Sequence, residues 1–424
     1  MQSNPQRRST FVPMVIIGAL FFVFGFVTWL NGTLMAYLKV ACQLNNLEAT
    51  LVTFAFYISY TIMALPASWI LGRTGLHRGM TVGLLLMAIG ALLFVPAALM
   101  RAYWLFLTGL FVEGAGLALL QTAANPYVAI IGPSESAARR ISIMGICNKL
   151  AGVVAPLVLA HFVLHDVDAI EQSLGLMDGS AQAAALDALS RRAIAPYTAI
   201  AAALAVLGVL VRVSPLPDVN QEADAEADAS AQPDTRTSVL QFPNLVLGAV
   251  ALFLYVGVEV IAGDTIIQYG KLLGLPISTA QMFTSFTLAA MIVGYIVGII
   301  LIPRYLTQQR ALLLSAVLGM VLSAGVLLLP AGASIACLAL LGLANAVMWP
   351  AIWPLAIHGL GRFLGTGSAL LIMAIAGGAI VPLLWGWLAD VASPQSAYII
   401  MLPIYLAIFA YASVGYRIKT WRKH

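Results

Sequence analysis

An all-α membrane protein, with twelve transmembrane helices in two pseudo-symmetric six-helix bundles, is the fold that this chain predicts. Of its 424 residues, 61% are hydrophobic and only 9% charged, against about a quarter charged in an ordinary soluble domain. The apolar residues fall in twelve stretches of roughly twenty, the length at which a helix crosses a hydrocarbon core. Only four charged residues, Glu113, Lys149, Glu259 and Asp264, lie deep inside those stretches. Lipid offers a backbone no hydrogen bond, so each stretch must close its own N–H and C=O groups as a helix. Charges left at depth are functional candidates for the same reason.

The predicted helices cover residues 13–38, 48–72, 79–100, 103–131, 141–164, 193–213, 242–272, 280–302, 310–329, 334–358, 365–389 and 395–416. The first is too long for a signal-peptide core and has no small-residue cleavage site after it, so it is read as a retained span. Basic residues orient the set. With the N-terminus inside, the inner segments and helix ends carry Arg7, Arg8, Arg73, Arg78, Arg139, Arg140, Arg212, Arg236, Arg304, Arg310, Arg362, Arg417, Lys419, Arg422 and Lys423. The outer segments carry only Lys39, Arg101, Arg191, Arg192 and Lys271. Positive charge opposes translocation, so both termini are expected in the cytoplasm.

Between the sixth and seventh helices lies a hydrophilic break, 214–241, with Pro-Leu-Pro, then Asp218, Glu222, Asp224, Glu226 and Asp228, then Ser and Thr. Such a segment has too little apolar surface to offset its ordering entropy and reads as a flexible cytoplasmic linker. It divides the chain into a bundle at 1–213 and a bundle at 242–424. The outer segment 165–192 is also long and acidic. It is expected to be a solvated loop, with a short surface helix over 181–189.

The two halves repeat. A shift of 224 positions lays Gln121 on Asn345 and Pro126 on Pro350, and a shift of 226 lays Gly152-x-x-x-Pro156 on Gly378-x-x-x-Pro382. Two six-helix halves in parallel repetition, joined by a long inner linker, resemble the plan of the major facilitator superfamily. The loop Gly72-Arg-Thr-Gly-Leu-His-Arg-Gly79 is similar to that superfamily's basic gating loop, without its usual acidic residue.

Chemistry in such a chain falls to its buried polar residues. Neutral amides suit a sugar, because each offers donors and acceptors together. Aromatic faces suit the apolar side of a sugar ring within a cavity at the bilayer midplane. Helix four carries Gln121 and Asn125 on one face. Helix one has Trp29 and Asn31, helix five Asn148 and Lys149, helix seven Gln268, and helix ten Asn345, Trp349 and Trp353. These amides either line a polar cavity or bond helix to helix, and the tryptophans either stack on a sugar or pack and anchor at the interface. Lys149 is a hydrogen-bond donor or a charge partner, Glu113 being one candidate because helices four and five run antiparallel. Cys42, Cys147 and Cys337 and the five histidines show no metal spacing, so neither a cofactor nor enzymatic activity is expected. The net charge of +4 follows the bilayer and points to lipid, not nucleic acid.

The run Leu120-Gln-Thr-Ala-Ala-Asn-Pro-Tyr-Val128, followed by Ile131-Gly-Pro-Ser-Glu135, closely resembles the fucose/galactose/glucose symporters of the major facilitator superfamily. Further matches are Phe21-Phe22 with Leu30-Asn31, Ala55-Phe56-Tyr57 with Leu65-Pro66-Ala67, Phe253-x-Tyr255-Val-Gly-x-Glu259, and Trp349-Pro-x-Ile-x-x-Leu-x-Ile357. The resemblance implies uptake of a neutral monosaccharide with a cation, H+ or Na+, by alternating access, through a monomer in a bacterial inner membrane. Fucose-type members carry an acid directly after the Leu-Asn pair, where this chain has Gly32, and a second acid where it has Gln121. The coupling group must therefore lie elsewhere. Glu259 is the first choice, with Glu113 and Asp264 behind it; Asp264 stands near the outer helix end, where it either reaches water or takes part in transport. Competing readings are an uncoupled sugar facilitator, a proton-driven exporter of amphiphilic compounds, which would have a more apolar pocket, and a nutrient receptor, for which no cytoplasmic output domain is evident.

Overall fold

Twelve helices long and apolar enough to cross a membrane are present in the computed structural model, which describes residues 11–130, 137–164, 166–214, 236–302, 304–360 and 363–421. Most of the linker, and the basic residues Arg7, Arg8, Arg362, Arg422 and Lys423, lie outside the described residues. In chain order, α1 is Val12–Ala41, α2 covers 46–74 and α3 76–100. Next come α4 (Tyr103–Ile130), α5 (Ala137–Val163) and α6 (Ile194–Val213). The second half has α7 over 243–272, α8 (Ile277–Leu301), α9 (Gln308–Leu328), α10 (Ala331–Ile357), α11 over 364–391 and α12 (Pro394–Arg417).

Local chemistry places the ends and breaks. Asn45 starts α2 with a reciprocal cap: its side chain accepts from the Glu48 N–H, and the Glu48 carboxylate accepts from the Asn45 N–H, satisfying two of the N–H groups a helix start leaves open. Thr307 caps α9 in the simpler way. The turn between α2 and α3 is made at Gly75, whose φ of +76° favours a residue without Cβ. Two central helices are interrupted: α1 at Trp29–Leu30 and α7 at Thr265, where the Thr265 hydroxyl donates back to the Ile261 carbonyl at 2.7 Å.

Helix crossings are set by small residues. A Cβ at Gly25 in α1 would lie 1.8 Å from the Asn148 carbonyl oxygen of α5, and one at Gly377 in α11 would lie 1.7 Å from the Phe253 carbonyl oxygen of α7. Backbones this close are possible only where a side chain is missing. The two contacts are counterparts under the internal repeat. So are the glycines aligned by the sequence shift: Gly152 receives Trp29 of α1 and Leu288 of α8, and Gly378 receives Tyr57 of α2 and Val260 of α7. Each half thus takes a helix of the other against the same bare position, giving the two long contacts between halves, α2 with α11 and α5 with α8. Val206, Val209, Leu210 and Val213 of α6 and Trp104 of α4 are among the large apolar side chains left exposed, the belt that lipid covers.

The outer segment departs from its expected form. It is not a solvated loop but two helices, Val167–Leu174 and Gly179–Arg191. Leu186, Leu189 and Ser190 are buried, and the Tyr37 hydroxyl donates to the Leu189 and Ser190 carbonyls at 2.7 and 2.8 Å. Its first helix reaches the other half, where Glu171 pairs with Lys271 and the Asp168 carboxylate accepts from the Ile277 N–H at 3.0 Å. Nearby, the Asp390 carboxylate at the end of α11 accepts from the backbone N–H groups of Asn46 and Leu47 at 3.1 and 2.8 Å. The halves are therefore bound together at the end of the bundle where this segment lies. The closure is made of bare-glycine contacts at depth and polar ties at the rim.

The glycine contacts predict a graded response. Gly25→Val and Gly377→Val should each destabilise the folded protein by about 1–3 kcal/mol, lowering the melting temperature in detergent. Gly332→Ala, with nothing within 4 Å of its new Cβ, should leave it unchanged.

Candidate substrate and coupling site

Where α1, α5 and α7 meet, two of the four deep charges find each other. The Lys149 ammonium of α5 lies 2.8 Å from the Glu259 carboxylate of α7, both side chains being about nine-tenths buried. Lys149 also stands 4.4 Å from the centre of the Trp29 ring, a cation–π contact. The indole fits because its neighbours are glycines: a Cβ at Gly263 would lie 2.4 Å from the ring and one at Gly152 2.5 Å from it. The Tyr255 hydroxyl meets the Glu259 carboxylate, and Tyr295 and Tyr405 lie within range of its charge. The expected partnership of Lys149 with Glu113 is corrected here. Lys149 is a charge partner, but of Glu259.

Glu113 points elsewhere. It is buried within the first half, against Gly90 of α3 and near Tyr197 of α6, and its Oε1 has no hydrogen-bond partner. Asp264 is also buried, with 1% of its surface exposed, so it does not reach water at the helix end. It lies against Gly32 of α1, where a Cβ would come 2.9 Å from its Cα and 3.2 Å from its Oδ1. Its Oδ2 accepts a long bond from the Thr53 hydroxyl of α2 at 3.4 Å.

The neutral residues divide between bonded and open groups. Gln121 donates to the Tyr60 hydroxyl at 3.2 Å, and Tyr60 stacks on Tyr57. Asn345 accepts from the Tyr405 hydroxyl at 2.8 Å, while Asn148 makes a 3.4 Å contact to the Phe21 carbonyl. Trp349 and Trp353 stack on each other, with ring centres 5.4 Å apart. Asn125 is on α4, but its side chain lies outside the described residues. Buried polar atoms without a protein partner include Trp29 Nε1, Asn31 Nδ2, Asn345 Nδ2 and both polar atoms of Gln268. Unpaired buried polar groups are rare in proteins. These are donors and acceptors together, the complement of a polyhydroxyl ligand.

Sequence reasoning passed over the tyrosines. Tyr57 and Tyr255 stand inside the segments quoted above for their resemblance, but Tyr60, Tyr295 and Tyr405 carry no motif. Their role emerges only from their placement around Gln121, Glu259 and Asn345. A tally of hydroxyls on inward helix faces was the signal available.

The comparisons with known proteins agree with this architecture. Residues 17–380 match the family model for the Major Facilitator Superfamily. The chain is 35% identical over 417 residues to the glucose/galactose transporter of Brucella abortus biovar 1 (strain 9-941), covering 98% of this chain and 96% of that one. It is 28% identical to the L-fucose-proton symporter of Escherichia coli (strain K12), over 96% of this chain and 94% of that one. The crystal structure of the transporter FucP in the outward conformation superimposes with a TM-score of 0.72 at 28% identity, over 96% of this chain and 99% of that one. With residues 17–380 matching its model and a 35% identical relative aligned over 98% of this chain, the chain belongs to the Major Facilitator Superfamily.

Proposed function

We propose that this protein imports a neutral monosaccharide, a hexose such as glucose or galactose or else N-acetylglucosamine, together with a cation, H+ or Na+. It works as a monomer in the bacterial inner membrane, with both termini in the cytoplasm. Two halves, 1–213 and 242–424, rock about a central site while the linker 214–241 joins them. Asn31, Gln121, Asn125, Asn148, Gln268 and Asn345 meet sugar hydroxyls, Trp349 and Trp353 offer a stacking face, and Lys149 holds Glu259. Among the acids, Glu259 and Asp264 lie between the halves and are positioned for coupling; Glu113 lies within one half.

The observation that supports this reading best is the Lys149–Glu259 pair, which joins opposite halves against the Trp29 indole. The charges cancel, so the site suits a neutral ligand. An exporter of amphiphilic compounds would want a more apolar surround, and the tyrosines and amides here disfavour it. The relatives named as a glucose/galactose transporter and an L-fucose-proton symporter support both the sugar and the cation.

Coupling changes what such a carrier can do. One charge moving inward down ~100 mV releases about 2.3 kcal/mol, and each tenfold gradient requires about 1.4 kcal/mol. A single cation therefore sustains roughly fifty-fold accumulation, where an uncoupled facilitator sustains none. Reconstituted vesicles should show counterflow of labelled glucose, galactose or N-acetylglucosamine, and an imposed gradient should drive accumulation that an ionophore collapses. Simple equilibration, unaffected by the ionophore, would establish a facilitator instead. Gln121→Ala should cut uptake at least about tenfold, the cost of one lost sugar hydrogen bond, at unchanged membrane abundance. Lys149→Met should lower thermal stability by about 3–5 kcal/mol by stranding Glu259; adding Glu259→Gln should recover most of that loss.

A further inference from the structure

We propose that Asp264 is the proton-binding site of this carrier, and that closing the outer side between Asp264, Gly32 and Thr53 requires its carboxyl to be protonated. The inference rests on the reading above as a cation-coupled sugar importer and names the cation and the group that takes it. Three acids are buried at depth, and the surroundings of each differ in kind. Glu113 is enclosed by Gly90 and Tyr197, both from its own half, so rocking of the halves leaves its environment unaltered. Glu259 meets Lys149 from the opposite half, so closure cancels its charge without a proton. Asp264 is different. Its close neighbours Gly32, Thr53 and Tyr57 all come from the opposite half, and no cation pairs with it among the described residues.

Its burial is therefore made by outer closure and undone by outer opening. With the outer side parted, Gly32 and Thr53 withdraw and the carboxylate meets outside water. On closure it loses that water and gains only neutral donors, a long bond from the Thr53 hydroxyl and the nearby Gly32 N–H. An ionised carboxylate is poorly held in such a place; a neutral acid is tolerated, as in other buried sites without a counter-charge. The ionisable groups facing it are Tyr57 on α2 and, on its own helix, Glu259, five residues away or about 7.5 Å by helix rise. Glu259 is already bound to Lys149 of α5. Neither group supplies positive charge to Asp264.

The step balances simply. One proton from the outer solution adds to the carboxylate, the neutral carrier closes over sugar, and the same proton leaves toward the cytoplasm once the inner side opens. The ionised, empty carrier then disfavours the outer-closed form and returns. Gly32 makes the arrangement possible, because any side chain there would enter the space that the Asp264 carboxyl occupies.

The test uses the full chain in proteoliposomes, with counterflow of labelled hexoses by the wild type measured first. For Asp264→Asn, counterflow should persist within about threefold, while accumulation driven by a pH gradient falls to an inside/outside ratio near one and sugar-induced proton uptake disappears. Asp264→Asn vesicles that still accumulate sugar with proton uptake would overturn the proposal. A second measurement needs no substitution at Asp264. Spin labels at Gln43→Cys and Ala392→Cys, in a background lacking Cys42, Cys147 and Cys337, report the outer opening. Lowering the pH from about 8.5 to about 5.5 should shift their distance distribution toward the closed form, as expected when a carboxylate must be neutralised for burial. A distribution that does not move with pH also overturns the proposal. Absence of counterflow by the wild type with every sugar in the panel would instead remove the sugar reading, while the distance measurement still decides the role of Asp264.

Discussion

The membrane interior leaves the Lys149 ammonium and the Glu259 carboxylate no better partner than each other. Either charge alone at that depth costs several kcal/mol; together they cancel at 2.8 Å. Because one belongs to α5 and the other to α7, the cancellation is available only when the two halves are close. Much of the nearby packing follows from this requirement. Trp29 must lie over the ammonium, which demands flat room on both sides of the indole, and Gly152 and Gly263 supply it. The bare positions serve electrostatics as well as close approach.

The internal repeat gives the closure its symmetry. Gly152 and Gly378 are related by the sequence shift, and each receives side chains from both halves. The rim is less symmetric. On one side Asp390 accepts from two N–H groups at the start of α2, a favourable place for a carboxylate because the helix dipole and its open N–H groups both point there. On the other, the helix Val167–Leu174 crosses from the first half to Lys271 and Ile277. Repetition built the hinge contacts, and an inserted segment outside the repeat built part of the seal.

Most of the fold was legible because lipid enforces a simple rule: twenty apolar residues must be helical, and they show plainly in the text. The four deep charges were legible for the same reason. Their pairing was not. Lys149 could face Glu113 or Glu259 by depth alone, and the choice depends on the rotation of α4 and α5, which a uniformly apolar helix does not reveal. The outer segment misled because its acidity resembles a solvated loop, whereas Leu186, Leu189 and Ser190 bury one face and two of its acids, Asp168 and Glu171, bind the opposite half. Gln121 and Asn345 align under the repeat, yet one bonds to Tyr60 and the other to Tyr405; tyrosines far away in sequence determine what each amide has left to offer.

Charge balance also constrains what the closed carrier can hold. Lys149 and Glu259 together contribute nothing net, and their neighbours include the Trp29 indole and the hydroxyls of Tyr255 and Tyr295. A ligand bearing its own charge would leave that charge uncompensated in a region without water, or would have to break the pair and strand one partner. A neutral polyhydroxyl molecule does neither. It can bond to Asn31, Gln268 and Asn345 while the pair stays intact, so the same contact that draws the halves together discriminates against charged solutes. Selectivity for neutral substrates then needs no dedicated filter; it follows from the electrostatics of closing a membrane protein around its cargo.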